Sequence, residues 1–330
     1  MNSMANPCLN LDGVPSEAPR RDGRPYLLFD PQGAWRLSRG SRLYDIEDRC
    51  VRLHDAFKQA IMTGVDYSTL VYALPSFVSI AGHNSEAPVT RDLFERFLVG
   101  SASFPEINRF LYLADCQHLV SSIQECTKEV EQMLGEFYLT LNTESFFYPA
   151  MKQDDGVRYS SSPVTTKLFA FLGFIFVRMH SLLDYTVKVA VEAENLQTDF
   201  ARYPKLSGSN LQYGDRKRVK FNGEPGTFFE TCEFMTSVET LRNRIIHDGL
   251  LDDMPKAYEE IRDGKAVERY VLFPDMTEGR FDRFKNRGLF FGREDKINLR
   301  LPELLTEFQS RQIRTLEFVL QSLGVTPTAP

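Results

Sequence analysis

Apolar side chains recur at three- and four-residue intervals along much of this chain, and this periodicity constrains the fold more than any other feature. The longest such stretch runs from Thr165 to about Asn195. Its apolar face is broad, which predicts a helix that packs against other helices on more than one side. That face comprises Leu168, Phe171, Leu172, Ile175, Phe176, Met179, Leu182, Leu183, Val187 and Val191. We therefore expect a mostly α protein built as a helical bundle.

The same periodicity predicts further helices at about 43–62, 104–141 and 302–323, and a short helix that Thr90 caps. Prolines interrupt residues 1–40, which indicates a flexible lead with a short edge element near 26–29, anchored by Trp35. A loop that contains Pro149, Gly156 and Pro163 favours a boundary. The expected organisation is a lead at 1–40, an N-terminal helical region at 41–155 and a helical domain at 160–330.

The pattern changes between about 266 and 300, where apolar residues alternate or form short runs. The stretch from Val267 to Phe273 alternates and is rich in β-formers, and short runs follow at 288–292 and 296–301. We predict a small β-hairpin or three-stranded insertion here, followed by a final helix that begins at Pro302.

Composition restricts the possible partners. The net charge of −6 argues against a general polyanion-binding protein, so any RNA-binding surface requires locally clustered basic residues. The densest basic run, 216–220, precedes the stretch that contains Arg242 and His247. It predicts contacts to an RNA backbone, and the alternative is a loop whose charges are only solvated. With Arg244, the candidate substrate-binding residues are Arg216, Lys217, Arg218 and Lys220.

Cysteine usage and hydropathy predict a cytoplasmic protein with no membrane partner. The five cysteines form no CxxC pair and are expected to be reduced packing residues. The first seven residues lack the pattern of a signal peptide. The most apolar stretch, 168–183, contains Arg178 and His180, which favours a buried helix over a membrane span. We interpret His54 and His118 as surface or packing residues, and His83 lies in a polar loop with no evident partner in the sequence.

The stretch with the most distinctive chemistry is Arg242-Asn243 followed by His247, at the end of an amphipathic helix that Gly249 is expected to stop. Asn243 and His247 are four residues apart and share a helix face, and the long Arg242 side chain can reach back to the imidazole. Histidine moves protons near neutral pH, arginine holds phosphate oxygens, and asparagine orients either partner. Neither a carboxylate pair nor a cysteine lies at metal-ligand spacing around His247, so we expect no metal and no cofactor.

A structural interpretation of the same residues stays open. Glu239 is three residues before Arg242 and can form a surface ion pair with it. His247 can simply favour the negative end of the helix dipole.

The arrangement of Arg242, Asn243 and His247 resembles the signature of HEPN domains (higher eukaryotes and prokaryotes nucleotide-binding domains). The resemblance implies a HEPN-like helical bundle that dimerises and brings two Arg–His sets into one composite site. It implies a metal-independent endoribonuclease in bacterial stress or anti-phage defence, as a toxin or in abortive infection, with a possible antitoxin or other protein partner. Catalytic roles carry over to His247 for acid–base chemistry, Arg242 for the phosphate and Asn243 for positioning. Gly249 replaces a tyrosine found in some family toxins, which disfavours a nucleotidyltransferase partner.

The sequence therefore leaves three alternative functions for these residues. The first is the homodimeric ribonuclease, and the second is a non-catalytic dimerisation or interaction module built on the same residues. The third, small-nucleotide sensing through the Arg–His pair, is weaker because no glycine-rich phosphate loop accompanies it.

Overall fold

The computed structural model describes residues 8–101, 104–147 and 154–326 of the chain. Pro149 in the expected boundary loop, the first seven residues and the last four lie outside these ranges. Helices make up 52% of the structure and strands 12%, in three small antiparallel sheets. The expectation of a helical bundle with one small β-hairpin insertion and an N-terminal helical region is therefore wrong, and the fold is mixed α/β although mostly helical.

Seven α-helices are found in the described ranges. In chain order they are α1 (Leu43–Ile61), α2 (Gly64–Ala73), α3 (Arg91–Gly100), α4 (Pro105–Thr143), α5 (Pro163–Glu194), α6 (Glu233–Asn243) and α7 (Ile297–Ser322). The periodicity located α1 and α5 to within a few residues. Thr90 caps α3 as predicted, since its hydroxyl accepts a hydrogen bond from the Leu93 amide.

The first sheet lies at the start of the chain and comprises β1 (Leu9–Asn10), β2 (Tyr26–Phe29) and β3 (Trp35–Leu37). The edge element expected near 26–29 is β2, so a sheet occupies much of the expected flexible lead. Trp35 anchors the sheet as predicted, because its indole packs on α4 at Gly135. A Cβ at Gly135 would stand 2.0 Å from the Trp35 ring, so this contact requires glycine.

The second sheet pairs β4 (Gly156–Ser160) with β5 (Ala257–Arg262), which pairs with β6 (Lys265–Tyr270). A two-residue turn joins β5 to β6, and both Asp263 and Gly264 have positive φ, as a tight hairpin turn requires. The sequence located β6 but missed β5. The inward-facing Glu259 interrupts the apolar alternation of β5, and it is held by ion pairs to Arg158 (3.2 Å) and Arg269 (2.9 Å).

The third sheet is a short hairpin of β7 (Met276–Thr277) and β8 (Arg280–Phe281). Neither 288–292 nor 296–301 is a strand, contrary to the prediction, and α7 begins at Ile297 rather than at Pro302. Pro302 has no N–H to donate to the Asn298 carbonyl four residues earlier. That carbonyl instead accepts the hydroxyl of the buried Tyr138 on α4, so the helix continues through the proline.

The chain folds into two compact units that do not follow the sequential division. The first unit holds the three sheets and α6, from residues 1–43, 126–181 and 230–311. The second holds α2, α3 and all of α1 except Leu43, from residues 44–125, 182–229 and 312–330. The unit boundaries fall within α4, α5 and α7, so each of these helices contributes residues to both units.

Four of the five cysteines are buried, as expected of packing residues, and Cys232 is half-buried. Among the described helices, α5 alone is long and apolar enough to span a membrane by length and composition, with 44% of its most apolar window buried. Leu168, Leu172 and Ile175 are among its buried side chains.

Glu131 on α4 is a buried carboxyl group in the first unit. Its Oε1 accepts hydrogen bonds from Gln309 (2.6 Å) and Ser41 (3.4 Å). Burial nevertheless raises its pKa from 4.5 to about 7. Between about pH 4.5 and about pH 7 this carboxyl is therefore protonated in the folded protein and ionised in the unfolded chain. The free energy of unfolding falls as the pH rises through this range.

We predict that Glu131→Gln removes this contribution, because glutamine cannot ionise. Between pH 5 and pH 8 the unfolding free energy should fall less for the variant than for the wild type. The difference between the two decreases should be on the order of 3 kcal/mol. Urea denaturation at each pH measures both proteins. Parallel pH profiles for the two proteins would contradict a buried, titrating Glu131.

Candidate functional site

The Arg–His stretch follows α6, whose orientation is fixed by an apolar stripe. Met235, Val238 and Leu241 are buried on one side of α6. The backbone then widens into a π-helical segment, Arg244–Asp248. Gly249 ends it with φ +113°, a conformation that favours glycine. The sequence predicted where the helix stops but not the change from α to π winding.

The π segment decides which side chains meet. In π winding, residues five apart are brought together, whereas α winding aligns residues three or four apart. Arg242 Nη1 accordingly lies 3.3 Å from His247 Nε2, and it also donates to Asn243 Oδ1 at 2.9 Å. The three predicted catalytic side chains therefore form one contacting cluster. Asn243 and His247 are exposed and Arg242 is half-buried.

The Arg242–His247 contact restricts the protonation of the imidazole. A guanidinium has only N–H donors, so a hydrogen bond between these groups requires His247 Nε2 to accept. A phosphate that attracts the Arg242 guanidinium would release the Nε2 lone pair, so ligand binding and base activation are linked in this geometry.

The predicted substrate-binding residues lie in different places. Arg244 adjoins the cluster, but its guanidinium bonds the Leu250 carbonyl (3.0 Å) and Asp253 (2.6 Å), which holds the loop after Gly249. Arg216, Lys217, Arg218 and Lys220 belong to the second unit, whereas the cluster belongs to the first. Arg216 stacks over the Tyr213 ring, Lys217 and Arg218 are exposed, and the Lys220 amide donates to Glu194.

A cleft of about 430 Å³ opens beside the cluster, between α6 with its π segment and the β7–β8 hairpin. Three arginines line it, namely Arg244, Arg280 and Arg283, together with Asn243 from the motif. Two acidic residues, Glu239 and Asp248, also line it. Arg244 is paired with Asp253 and Arg283 lies 3.8 Å from Asp248, so Arg280 is the cleft arginine with no ion pair in the described residues, and it could contact an anion although the chain is acidic overall.

Sequence reasoning missed Arg280 and Arg283. The recognisable signal was the Glu278-Gly279 turn, which aims the following residues back toward α6. Both turn residues have positive φ, as a tight hairpin requires. Gly279 packs directly on the Glu233 carbonyl, to which a Cβ would come within 2.5 Å.

The described residues contain no group of three or more His, Cys, Asp and Glu side chains that could hold a metal ion. No protein-family model, curated protein or solved structure matches this chain. The resemblance to HEPN domains therefore rests on the motif alone.

We predict that Gly279→Ala loosens the hairpin from α6, because the added methyl group would overlap the Glu233 carbonyl. Gly33→Ala is the matched control. Gly33 also has a positive φ (+87° against +78°), but no atom lies within 4 Å of the position that its Cβ would take. Both changes strain the backbone, and only Gly279→Ala adds the overlap.

The expected result is a larger loss of unfolding free energy for Gly279→Ala than for Gly33→Ala, by about 1–3 kcal/mol. Trypsin should also cleave the Gly279→Ala variant faster after Arg280 and Arg283. Equal losses of stability in the two variants would contradict the tight packing of the hairpin on α6.

Proposed function

We propose that this protein is a metal-independent endoribonuclease whose catalytic residues are Arg242, Asn243 and His247. The observation that carries the proposal is the contact between the Arg242 guanidinium, on the last turn of α6, and the exposed His247 Nε2, on the π segment, beside an arginine-lined cleft. Acid–base and phosphate-binding groups are thus adjacent and accessible to a large substrate.

In the proposed reaction, His247 Nε2 removes the proton from a ribose 2′-hydroxyl. The 2′-oxygen attacks the adjacent phosphorus, and the bond from phosphorus to the 5′-oxygen breaks as that oxygen takes up a proton. The products are a 2′,3′-cyclic phosphate and a 5′-hydroxyl. Arg242 moves from His247 to the phosphate and stabilises the charge on its oxygens, and Asn243 positions the guanidinium.

A homodimer would supply the general acid, since two His247 side chains facing each other provide a base and an acid at once. Exposed apolar side chains near the cluster support this part of the proposal, because apolar patches favour association between chains. These are Ile246, Leu250 and Met254. On the motif resemblance we propose that such an enzyme acts in the bacterial cytoplasm, in stress or anti-phage defence, with a possible antitoxin or other protein partner.

A non-catalytic interaction module is the second candidate. The occupied Nε2 lone pair of His247 favours it, because Arg242 and His247 already satisfy each other within one chain. The same exposed apolar residues would then contact a protein partner.

We predict that His247→Gln and Arg242→Ala each lower RNA cleavage in EDTA by about 100-fold or more, because they remove the proton carrier and the phosphate-binding fork. Glutamine retains hydrogen bonding at position 247 but cannot carry the proton. Arg91→Ala on α3 is the control for loss of an exposed arginine.

Cleavage of total RNA and defined tRNAs is followed by gel, and the cyclic phosphate end is identified by its resistance to phosphatase. Cleavage that survives both substitutions would exclude this cluster as the active site. A folded wild type that cleaves none of these RNAs, with or without a trigger, would favour the interaction module.

We further predict that Arg280→Ala and Arg283→Ala weaken RNA binding without changing the chemistry, because these residues line the cleft but lie outside the cluster. Each lost phosphate contact should lower the slope of log Kd against log salt by roughly 0.7. Fluorescence anisotropy over a salt series measures the slope, with Arg91→Ala as the control. Unchanged slopes in both variants would show that RNA does not occupy this cleft.

A further inference from the structure

Three of the five histidines line one cleft in the second unit, although the sequence placed two of them on the surface or in packing and the third in a polar loop. His54 lies on α1, His118 on α4, and His83 in the segment between α2 and α3. The cleft has a volume of about 510 Å³, which is sufficient for a small organic ligand. Tyr67 and Val71 of α2 form part of another wall.

His83 is held by a chain of polar contacts. Its Nε2 lies 2.9 Å from Asp115 Oδ1, and the other oxygen of that carboxylate accepts the Tyr203 hydroxyl at 2.5 Å. Donation of Nε2–H to the Asp115 carboxylate fixes the orientation of the ring. His83 also stacks on His118, with ring centroids 4.3 Å apart and planes 29° apart. The two rings thus form an oriented polar wall.

The cleft carries little charge at neutral pH. None of the described residues that line it is Lys, Arg, Asp or Glu. Burial lowers the pKa of His118, and the neighbouring His83 adds to this effect while Asp115 opposes it. Burial also lowers the pKa of His54 against the opposing charge of Asp55. The lining itself therefore offers a phosphate no permanent cation, and the Lys58 ammonium at the Tyr67 ring is already engaged by that ring, so a neutral ligand is favoured.

The lining combines flat apolar surface with hydrogen-bonding edges. Tyr67 and Phe110 present tilted rings with centroids 5.9 Å apart, and Lys58 lies over the Tyr67 ring at 4.1 Å. The amides of Asn84 and Gln117 line the same cleft. Gln117 Nε2 contacts the His54 carbonyl at 3.5 Å, which orients its amide. Amide groups carry a donor beside an acceptor, and this pattern matches the edges of nucleobases, whose faces stack on aromatic rings.

We propose that this cleft is a binding site for a neutral nucleoside, whose base lies among Tyr67, Phe110 and the His83–His118 pair and hydrogen bonds Asn84 and Gln117. The site is separate from the arginine-lined cleft, and it does not depend on the proposed ribonuclease activity. His247→Ala is accordingly expected to leave nucleoside binding unchanged, so that failure of one proposal can be distinguished from failure of the other.

The pH dependence of binding separates a neutral ligand from an anion. Protonation of a histidine removes its acceptor nitrogen and adds a positive charge. His83 faces Asp115, which also accepts the Tyr203 hydroxyl. His118 is influenced by Asp115 and His83, and His54 by Asp55. A nucleoside should therefore bind more weakly at acidic pH, whereas a phosphate-bearing ligand should bind more tightly.

The test is isothermal titration calorimetry of the full chain with adenosine, guanosine, cytidine and uridine and with each 5′-monophosphate, at pH 7.5 and pH 5.5. We expect at least one nucleoside to bind, more tightly than its monophosphate and more tightly at pH 7.5. Gln117→Ala should weaken binding by about tenfold through loss of hydrogen bonds, and Ala114→Phe should abolish it by filling the cleft. Gln124→Ala, on the same helix but outside the lining, is the matched control.

Circular dichroism confirms that each variant is folded, and Asn84→Ala in the exposed segment replaces Ala114→Phe if that variant does not fold. The proposal is overturned if none of the four nucleosides binds at millimolar concentration. Tighter binding of the monophosphates at pH 5.5 would instead identify an anion site. Binding that is unaffected by both cleft-lining substitutions would place the nucleoside elsewhere.

Discussion

Burial of the apolar side of α6 determines how the candidate catalytic residues are presented. Met235, Val238 and Leu241 are almost fully buried, and each such side chain contributes about 1.5–3 kcal/mol relative to exposure. An exposed ion pair or hydrogen bond on the opposite side contributes about 1 kcal/mol or less. The apolar contacts therefore fix the rotation of the helix, and the polar side chains that follow are directed by it.

The change of winding after Asn243 then sets the chemistry. A continuous α-helix would stack Asn243 under His247 and leave Arg242 displaced around the axis. The π segment instead brings residues five apart together, so that Arg242 contacts His247 while Asn243 accepts from the same guanidinium. The hydrogen bonds of Arg244 to Leu250 and Asp253 tie down the chain where this segment ends. Arg244, which the sequence predicted to bind substrate, thus supports the geometry of the neighbouring residues.

Local patterns in the sequence predicted what local physics determines. The spacing of apolar residues located α1, the side chain of Thr90 predicted the start of α3, and Gly249 predicted the end of the motif segment. The helical-bundle prediction was wrong because it missed short strands that pair in local hairpins, such as β5 with β6, and one pairing that no local pattern contains. Strand β4 pairs with β5 about a hundred residues later, and the buried Glu259 obscures the alternation of β5.

The same limit applies to the sites. Arg242, Asn243 and His247 were found because they are neighbours in the sequence, whereas Arg280 reaches α6 only through the β7–β8 turn. His83 follows His54 by 29 residues and His118 follows His83 by 35, and each has an ordinary sequence environment. Only the fold brings them to one cleft, so periodicity could place each histidine on its element but not beside the others.

The two clefts differ in electrostatics, and this difference matters more than the net charge of −6. Screening limits the reach of an exposed charge to about 8 Å at physiological ionic strength, so an anionic ligand responds chiefly to the charges near it. Arg244, Arg280 and Arg283 line the first cleft, and a phosphate there would meet Arg280 directly and would compete with Asp253 and Asp248 for the other two. The second cleft is lined by imidazoles, amides and aromatic rings. A phosphate entering it would lose hydration and would have to draw Lys58 away from the Tyr67 ring to gain a cation, whereas an uncharged ring would exchange water for stacking and matched hydrogen bonds.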